Sequence, residues 1–424
     1  MRRLRHILCG ILAMLLLALP ACSSAAAVSA QITAVTPRPL PEPEGLRIAV
    51  ASDLHLHETQ RGDAPIQADY SMELVDALLW DAQRQGAAFL LLTGDIVNGG
   101  RTARHETLCA KLARAEAAGL EVYVLPGNHD LSPVTQTEFA ALYDDFGFAE
   151  AYSRDESSLS YCIRRDGLLI LMLDTGGYPG AACDLPGSEG ADSALVSPAT
   201  LRWVEAMLRE AQTQSLRVLC AGHYNLLSAL ASDPGYDGYY VQNGEALAAL
   251  LREYGVLLYL SGHIHTRAFY GVDGLRELVT EYLLSYPTGY SVLDLSARQL
   301  RCTPRRVDVD AWAAESGQDD PRLLHYARWQ QEELYRGAAS TVASMAARNP
   351  LSEAEEADAA EFFYGVLNAY WQGTLADRRE ALEAMPGRVA FFRCAEGFAY
   401  GWWLHTLLDS ATPELAGFTV LLGG

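Results

Sequence analysis

The chain has 424 residues, half of them apolar and a fifth charged, a balance that excludes a mainly disordered or collagen-like protein and provides for two or three globular domains. Its 53 acidic residues outnumber 32 basic ones, for a formal charge of −21. So acidic a chain has no general attraction for nucleic acid or anionic lipid, and any anion it binds needs a local device such as a metal ion.

The N-terminus has the order of an export signal. Arg2, Arg3 and Arg5 precede an apolar run over 7–19, too short to span a membrane comfortably, and small residues follow at once. The run ends in Leu19-Pro20-Ala21-Cys22, which resembles the bacterial lipobox, with Cys22 as the expected lipidation site. Ordinary cleavage near Ala21 or Ala27 is the alternative. Either reading places the mature protein outside the cytoplasm, and the first makes it a lipoprotein on the outer face of the bacterial membrane. Six later cysteines (Cys109, Cys162, Cys183, Cys220, Cys302 and Cys394) are scattered and form no CxxC pair. That spacing gives no structural zinc knot and no disulfide scaffold.

Residues 23–45 are rich in Ala, Ser and Pro and form a stiff tether with no core of its own. From residue 46 to about 312 apolar strands alternate with helical stretches. Strands are expected over 46–51, 89–92, 122–125, 168–173, 217–221 and 256–260, and helices over 72–85 and 107–118. This alternation predicts an α/β fold with covered sheet faces, in which ligands sit beyond the carboxyl ends of strands. From about residue 321 the strands stop. Helical spacing over 323–346 and 353–372, the second opened by a Ser352/Glu355 capping box, predicts a helical C-terminal domain over 320–424, after a linker at 315–320.

Five strand ends carry polar clusters: Asp53-Leu54-His55, Gly94-Asp95, Gly127-Asn128-His129-Asp130, Gly222-His223 and Gly262-His263-Ile264-His265. One such cluster alone is an ordinary turn. Together they supply carboxylates that can bridge two cations and imidazoles suited to zinc, manganese or iron, on loops whose glycines permit close approach.

In this order the five blocks resemble the calcineurin-like metallophosphoesterase superfamily, over residues 46–306. The resemblance implies two packed mixed β-sheets flanked by helices, a four-layer sandwich. It also implies two divalent ions (Mn, Fe or Zn), one held by Asp53, His55 and His265 and the other by Asn128, His223 and His263, with Asp95 bridging them. His129 would stand beside the phosphoryl group and stabilise the transition state or protonate the leaving oxygen. Such a pair of ions clamps phosphoryl oxygens and activates a hydroxide for direct attack on phosphorus.

Details within the blocks bear on substrate. Asp95 is followed by Ile96-Val97-Asn98-Gly99-Gly100, without the arginine of protein phosphatases, and Asn98 stands where purple acid phosphatases carry a tyrosine. The form resembles the phosphodiesterase branch. The run through Asp145-Phe146-Gly147 and Ser153-Arg154-Asp155, with Gly222-His223-Tyr224-Asn225, resembles exported bacterial phosphoesterases, in which Tyr224 is often another histidine. The expectation is hydrolysis of a small phosphodiester, with a phosphomonoesterase or a non-catalytic metal-containing binding module as alternatives. The partners expected are that small phosphoester and the membrane through the lipid anchor, with no nucleic acid and no protein partner. His57, His105 and Arg101 are candidates for the rim of the site, or simply solvated, the last two at a helix start, and Tyr236, Tyr239 and Tyr240 for a stacking lip or a plain surface loop. Trp402 and Trp403 are expected in the core of the tail.

Overall fold

The computed structural model describes residues 40–41, 45–58, 68–176, 194–227, 240–410 and 413–422. The export signal, Cys22, most of the tether, Cys183, Tyr236 and Tyr239 lie outside the described residues. Among those described, no helix is long and apolar enough to cross a membrane.

In chain order the first half comprises β1 (Leu46–Ala51), α1 (Ser71–Arg84), β2 (Phe89–Thr93), α2 (Thr102–Ala117), β3 (Glu121–Leu125), α3 (Gln136–Leu142), β4 (Ser153–Arg154), β5 (Tyr161–Arg165) and β6 (Leu168–Met172). Next come α4 (Pro198–Thr213), β7 (Arg217–Ala221), α5 (Gly244–Glu253), β8 (Tyr259–Ser261), β9 (Ala268–Val272), β10 (Leu275–Val279), β11 (Gly289–Leu295) and β12 (Gln299–Arg306). The chain continues through α6 (Val309–Ser316), α7 (Pro321–Leu324), α8 (Tyr326–Ala346), α9 (Glu353–Trp371), α10 (Leu375–Glu383), α11 (Gly387–Cys394), α12 (Ala399–Ser410) and β13 (Phe418–Leu421).

Two mixed sheets result, as the sequence implies: β13-β12-β11-β1-β2-β3 and β4-β5-β6-β7-β8-β10-β9. The parallel run β1-β2-β3 makes one half of the first sheet, with β3 at its edge, and the parallel run β6-β7-β8 the centre of the second. Period-two alternation sets the layers. Leu168, Ile170 and Met172 of β6 join the core shared with the first sheet, while Leu169 and Leu171 face α4 and α5. Beyond the carboxyl ends of β1, β2 and β3 lie Asp53, Asp95 and Asn128, and beyond those of β7 and β8 lie His223 and His263. The amino end of β1 is fastened differently. Arg47 donates to the Pro41 carbonyl at 2.7 Å and pairs with Asp294, while the Leu40 amide donates to Gln85 Oε1 at 3.0 Å.

The tail departs from expectation in three places. The segment foreseen as a linker is held against α1, with Tyr70 donating to Asp320 at 2.9 Å and Trp80 to Glu315 at 3.3 Å. The helix expected over 323–346 is interrupted at His325, and α8 then serves both cores. Its Tyr326 and Trp329 pack into the α/β core, whereas Ala338, Val342 and Met345 pack into a second core made with α9, α10, α11 and α12. After those helices the chain returns to the first sheet, where β13 pairs antiparallel with β12, Leu300 facing Val420. The Ser352/Glu355 capping box forms at the start of α9. Trp402 is exposed and Trp403 half-buried, so only part of the expected aromatic core is realised. Cys109, Cys162, Cys220, Cys302 and Cys394 are free thiols.

Candidate metal centre

The candidate ligands follow strand ends, and after β1 and β2 the backbone pairing continues beyond the sheet. The Asp53 amide donates to the Gly94 carbonyl (3.0 Å) and the His55 amide to the Asp95 carbonyl (2.8 Å), so the loops after β1 and β2 rise together. Five candidate ligands adopt left-handed backbone: Asp53 (φ 53°), His55 (39°), Asp95 (50°), His263 (68°) and His265 (58°). Non-glycine residues are held there at a cost of about 1–3 kcal/mol each, and only where the surroundings over-determine the conformation. The motif glycines explain how the surroundings come so close. A Cβ on Gly127 would overlap the Asp95 carboxylate, and one on Gly262 would overlap Ser52 Oγ and Asp53 Oδ2.

Two groups of side chains converge. Asp53, His55, Asp95 and His265 form one, and Asp95, His223 and His263 the other, each with its ligand atoms within 4.8 Å of one another. Asp95 belongs to both because its Oδ2 lies 3.3 Å from His223 Nε2 and 3.6 Å from His55 Nε2. Its Oδ1 accepts the His129 amide at 2.7 Å. Asn128 Oδ1 lies 3.1 Å from His223 Nε2, which adds the amide to the second group. His265 Nε2 is 3.3 Å from Asp53 Oδ1 and 3.1 Å from His55 Nε2. His223 Nδ1 faces the Thr93 carbonyl at 2.9 Å, which fixes the tautomer, ties the two sheets together and aims Nε2 into the site.

The charges fit a pair of cations. Asp53 Oδ1 is buried without a hydrogen-bond partner while imidazole nitrogens stand 3.3 and 3.7 Å away. An orphaned anionic oxygen in such a place is a ligand atom without other employment. Burial works against ionisation of Asp53, but the His265 and His55 imidazoles beside it hold its pKa well below the usual value. Burial also opposes the charge on His223, yet the neighbouring Asp95 carboxylate pushes its pKa up to about 9. Burial and the His223 charge depress His263 to about 3, leaving a neutral imidazole suited to ligation. The carboxylates, amide and imidazoles together suit two transition-metal or zinc ions.

His129 stands apart on the exposed rim, its ring 4.7 Å from that of His55 and its Nδ1 3.2 Å from Asn98 Oδ1. Other rim candidates fall elsewhere. His57 is buried behind the site with Nδ1 2.7 Å from the His55 carbonyl. His105 is buried between Tyr143 Oη (2.8 Å) and the Asp130 carbonyl (3.0 Å), so it is a packing group. Arg101 is exposed at the start of α2, and Tyr240 is half-buried in a bridge to Asn225. Tyr224 packs its ring 4.3 Å from His263.

Three contributors carry no sequence signal of their own. Tyr282 stacks on His265 with centroids 4.5 Å apart and meets His55 edge-on at 5.2 Å, yet it follows a strand in a stretch without a motif. Asp130 accepts from the amides of Gly127 (2.7 Å), Val97 (2.9 Å) and Ile96 (3.3 Å), pinning the loops after β2 and β3. Burial, with the Asp95 charge beside it, raises its pKa to about 8. Buried Glu277 likewise holds the loop after β7 through the Leu226 amide and Ser261 Oγ. Of these, only Asp130 lies inside a recognisable block.

The model of calcineurin-like phosphoesterases matches residues 46–267, and that of the C-terminal domain of cyclic nucleotide phosphodiesterase matches residues 308–412. No curated protein matches the sequence. Among solved structures, a dimetal phosphatase from Danio rerio is similar at 16% identity, over 62% of this chain and 97% of that one, with a TM-score of 0.50. A purple acid phosphatase from yellow lupin (Lupinus luteus) seeds is similar at 13% identity, over 64% of this chain and 53% of that one, with a TM-score of 0.42. Identities this low speak for the fold alone. The match over residues 46–267 takes in more than half of the 424 residues and all five polar blocks, and on that ground the chain belongs to the calcineurin-like phosphoesterase family.

Proposed function

We propose that the protein hydrolyses a small phosphodiester with the help of two divalent ions, Mn, Fe or Zn. The observation that carries the two-ion reading is Asp95 Oδ2, which faces both ligand groups at 3.3 and 3.6 Å. The match of residues 308–412 to the C-terminal domain of cyclic nucleotide phosphodiesterase supports a diester over a monoester. Asp53, His55 and His265 would hold one ion, Asn128, His223 and His263 the other, and Asp95 both. When bound, the pair would supply positive charge to the phosphoryl oxygens and lower the pKa of water at the site. The chain contributes orientation and a proton. Asn98 accepts from Nδ1 of His129 and leaves Nε2 free; with a proton on each ring nitrogen the imidazolium would give the Nε2 proton to the departing oxygen and keep the one on Nδ1.

The substrate is an anion approaching a protein of charge −21, so the local positive charge of the centre must overcome the long-range repulsion. The test is turnover of bis(p-nitrophenyl) phosphate, p-nitrophenyl phosphate and a cyclic nucleotide by manganese-loaded protein, with and without chelator. Chelator-sensitive hydrolysis faster on diesters supports the proposal. Faster monoester hydrolysis makes the protein a phosphomonoesterase, and absence of turnover on all three makes it a metal-containing binding module.

The exported lipoprotein reading is part of the same proposal. Fractionation of cells carrying Cys22→Ala should move the protein out of the membrane fraction or leave it unprocessed. A Cys22→Ala protein that is processed and still membrane-bound would refute the anchor.

A further inference from the structure

Three hydrogen bonds cross between the end of the α9 region and the segments that carry the first ligand group. Tyr370, in the last turn of α9, donates to the Arg267 carbonyl at 3.0 Å, two residues beyond His265. Asn368, in the same turn, accepts from Tyr286 Oη at 2.6 Å, and Gln372 Nε2 donates to both partners at 3.2 and 2.9 Å. Tyr286 closes the short segment that begins at Tyr282, the residue stacked on His265. Within it the Leu283 amide donates to the Asp53 carbonyl at 3.3 Å, and the Ser285 hydroxyl to the Tyr282 carbonyl at 3.0 Å. Buried Arg267 joins the two segments by pairing with Glu281 at 3.1 Å and donating to Ser291 at 3.0 Å.

These contacts act on a backbone under strain. His263 and His265 both have left-handed conformations, which persist only while neighbouring groups enforce them. His263 is held from inside, its amide donating to Asp53 Oδ2 at 3.0 Å and the next amide to Gly262 at 2.8 Å. His265 is half-buried and its loop leads into β9, the last strand of the second sheet, which among the described residues pairs with β10 alone. On that side of the loop α9 adds a restraint at the Arg267 carbonyl.

We propose that the last turn of α9, through Tyr370 and Asn368, is a positioning element for the ion held by Asp53, His55 and His265, and sets the affinity of that position without affecting the other. The inference rests on the two-ion reading above. Neither residue touches substrate or metal; both act through the backbone that presents His265 and Tyr282.

The test is titration of Mn²⁺ into chelator-stripped full-length protein, followed by calorimetry, alongside the melting temperature of the metal-free form. Wild type should take up two ions. Tyr370→Phe removes one hydrogen bond and little volume, and should weaken one binding step roughly 3- to 10-fold while leaving the other unchanged. Asn368→Ala should weaken the same step. Leu382→Ala, a cavity in the second core away from the loop, should lower the melting temperature and leave both steps as in wild type. Unchanged affinities in Tyr370→Phe and Asn368→Ala overturn the inference alone, as does an equal loss at both steps. A wild-type chain that takes up fewer than two ions overturns the two-ion reading and this inference with it.

Discussion

The side-chain oxygen of Asn98 lies 3.2 Å from Nδ1 of His129. An amide oxygen only accepts, so the proton sits on Nδ1 and the second ring nitrogen is free for the reacting group. Asn98 thereby orients the imidazole next to the centre.

His129→Ala should lower turnover of a diester with an alkyl leaving group by roughly 10²–10⁴-fold, the usual worth of a positioned acid. Metal content should not change, because His129 lies outside both ligand groups. Asn98→Ala should act in the same direction by a smaller factor. A nitrophenolate leaves without protonation and should be far less sensitive to either change. Equal losses on both leaving groups would argue against the acid role.

Asp95→Asn should strip both positions, since one shared carboxylate becomes a neutral amide. Activity should fall by more than the roughly 10–100-fold typical of outer contacts to a metal site. Metal analysis before and after is the direct measurement. A variant that keeps two ions per chain and full rate would remove Asp95 from the bridge.

Gly262→Ala should spare the fold and damage the site. The added methyl would overlap Ser52 Oγ and Asp53 Oδ2, so either Asp53 turns away or the His263 loop lifts. The expected result is an unchanged far-UV circular dichroism spectrum with metal affinity reduced by at least about tenfold. Normal metal binding in this variant would mean that the loops have more room than their packing implies.

The α/β fold was legible because its strands are apolar runs that end at polar blocks. Residues 46–51 and 217–221 are strands as the pattern predicts. The blocks also named the side chains that converge: Asp53, His55, Asp95, His223, His263 and His265 form the two groups, with Asn128 beside His223. Tyr282, Asn98 and Glu277 were not legible in the same way. Their roles come from contacts between loops far apart in sequence, and a tyrosine after a strand has no spacing that distinguishes it. The last strand was missed for another reason. Phe418–Leu421 is only four residues long, with two of them exposed and one half-buried, and short edge strands leave little pattern. His105 and Trp402 show the reverse error, a polar residue buried by its hydrogen bonds and an aromatic one left in solvent.

Acid should loosen the start of α9. Glu355 is held at about 2, below its ordinary 4.5, by the Ser352 amide first and then by Arg393. A depressed carboxyl pKa contributes stability above the unfolded value, and that contribution is lost as pH falls from about 4.5 towards 2. Thermal melts at pH 5 and pH 3 should therefore diverge more in wild type than in Ser352→Ala, whose capping box is gone. At pH 7 the same variant should melt about 2 °C lower. Identical pH slopes in the two proteins would deny the box its role.

Because β13 lies beyond the helices in sequence but beside β12 in space, order of assembly matters. More than a hundred residues separate Leu300 from its partner Val420, so their pairing carries a large closure entropy and belongs late in folding. Until α9 and its neighbours have packed and returned residue 418 to the sheet, the outer edge of β12 presents unpaired amides and carbonyls to any passing strand. The second core is thus a timing element as well as a structural one. Truncating Phe362, Phe363 or Phe391 in that core should therefore leave the β12 edge open for longer and show as increased aggregation on refolding.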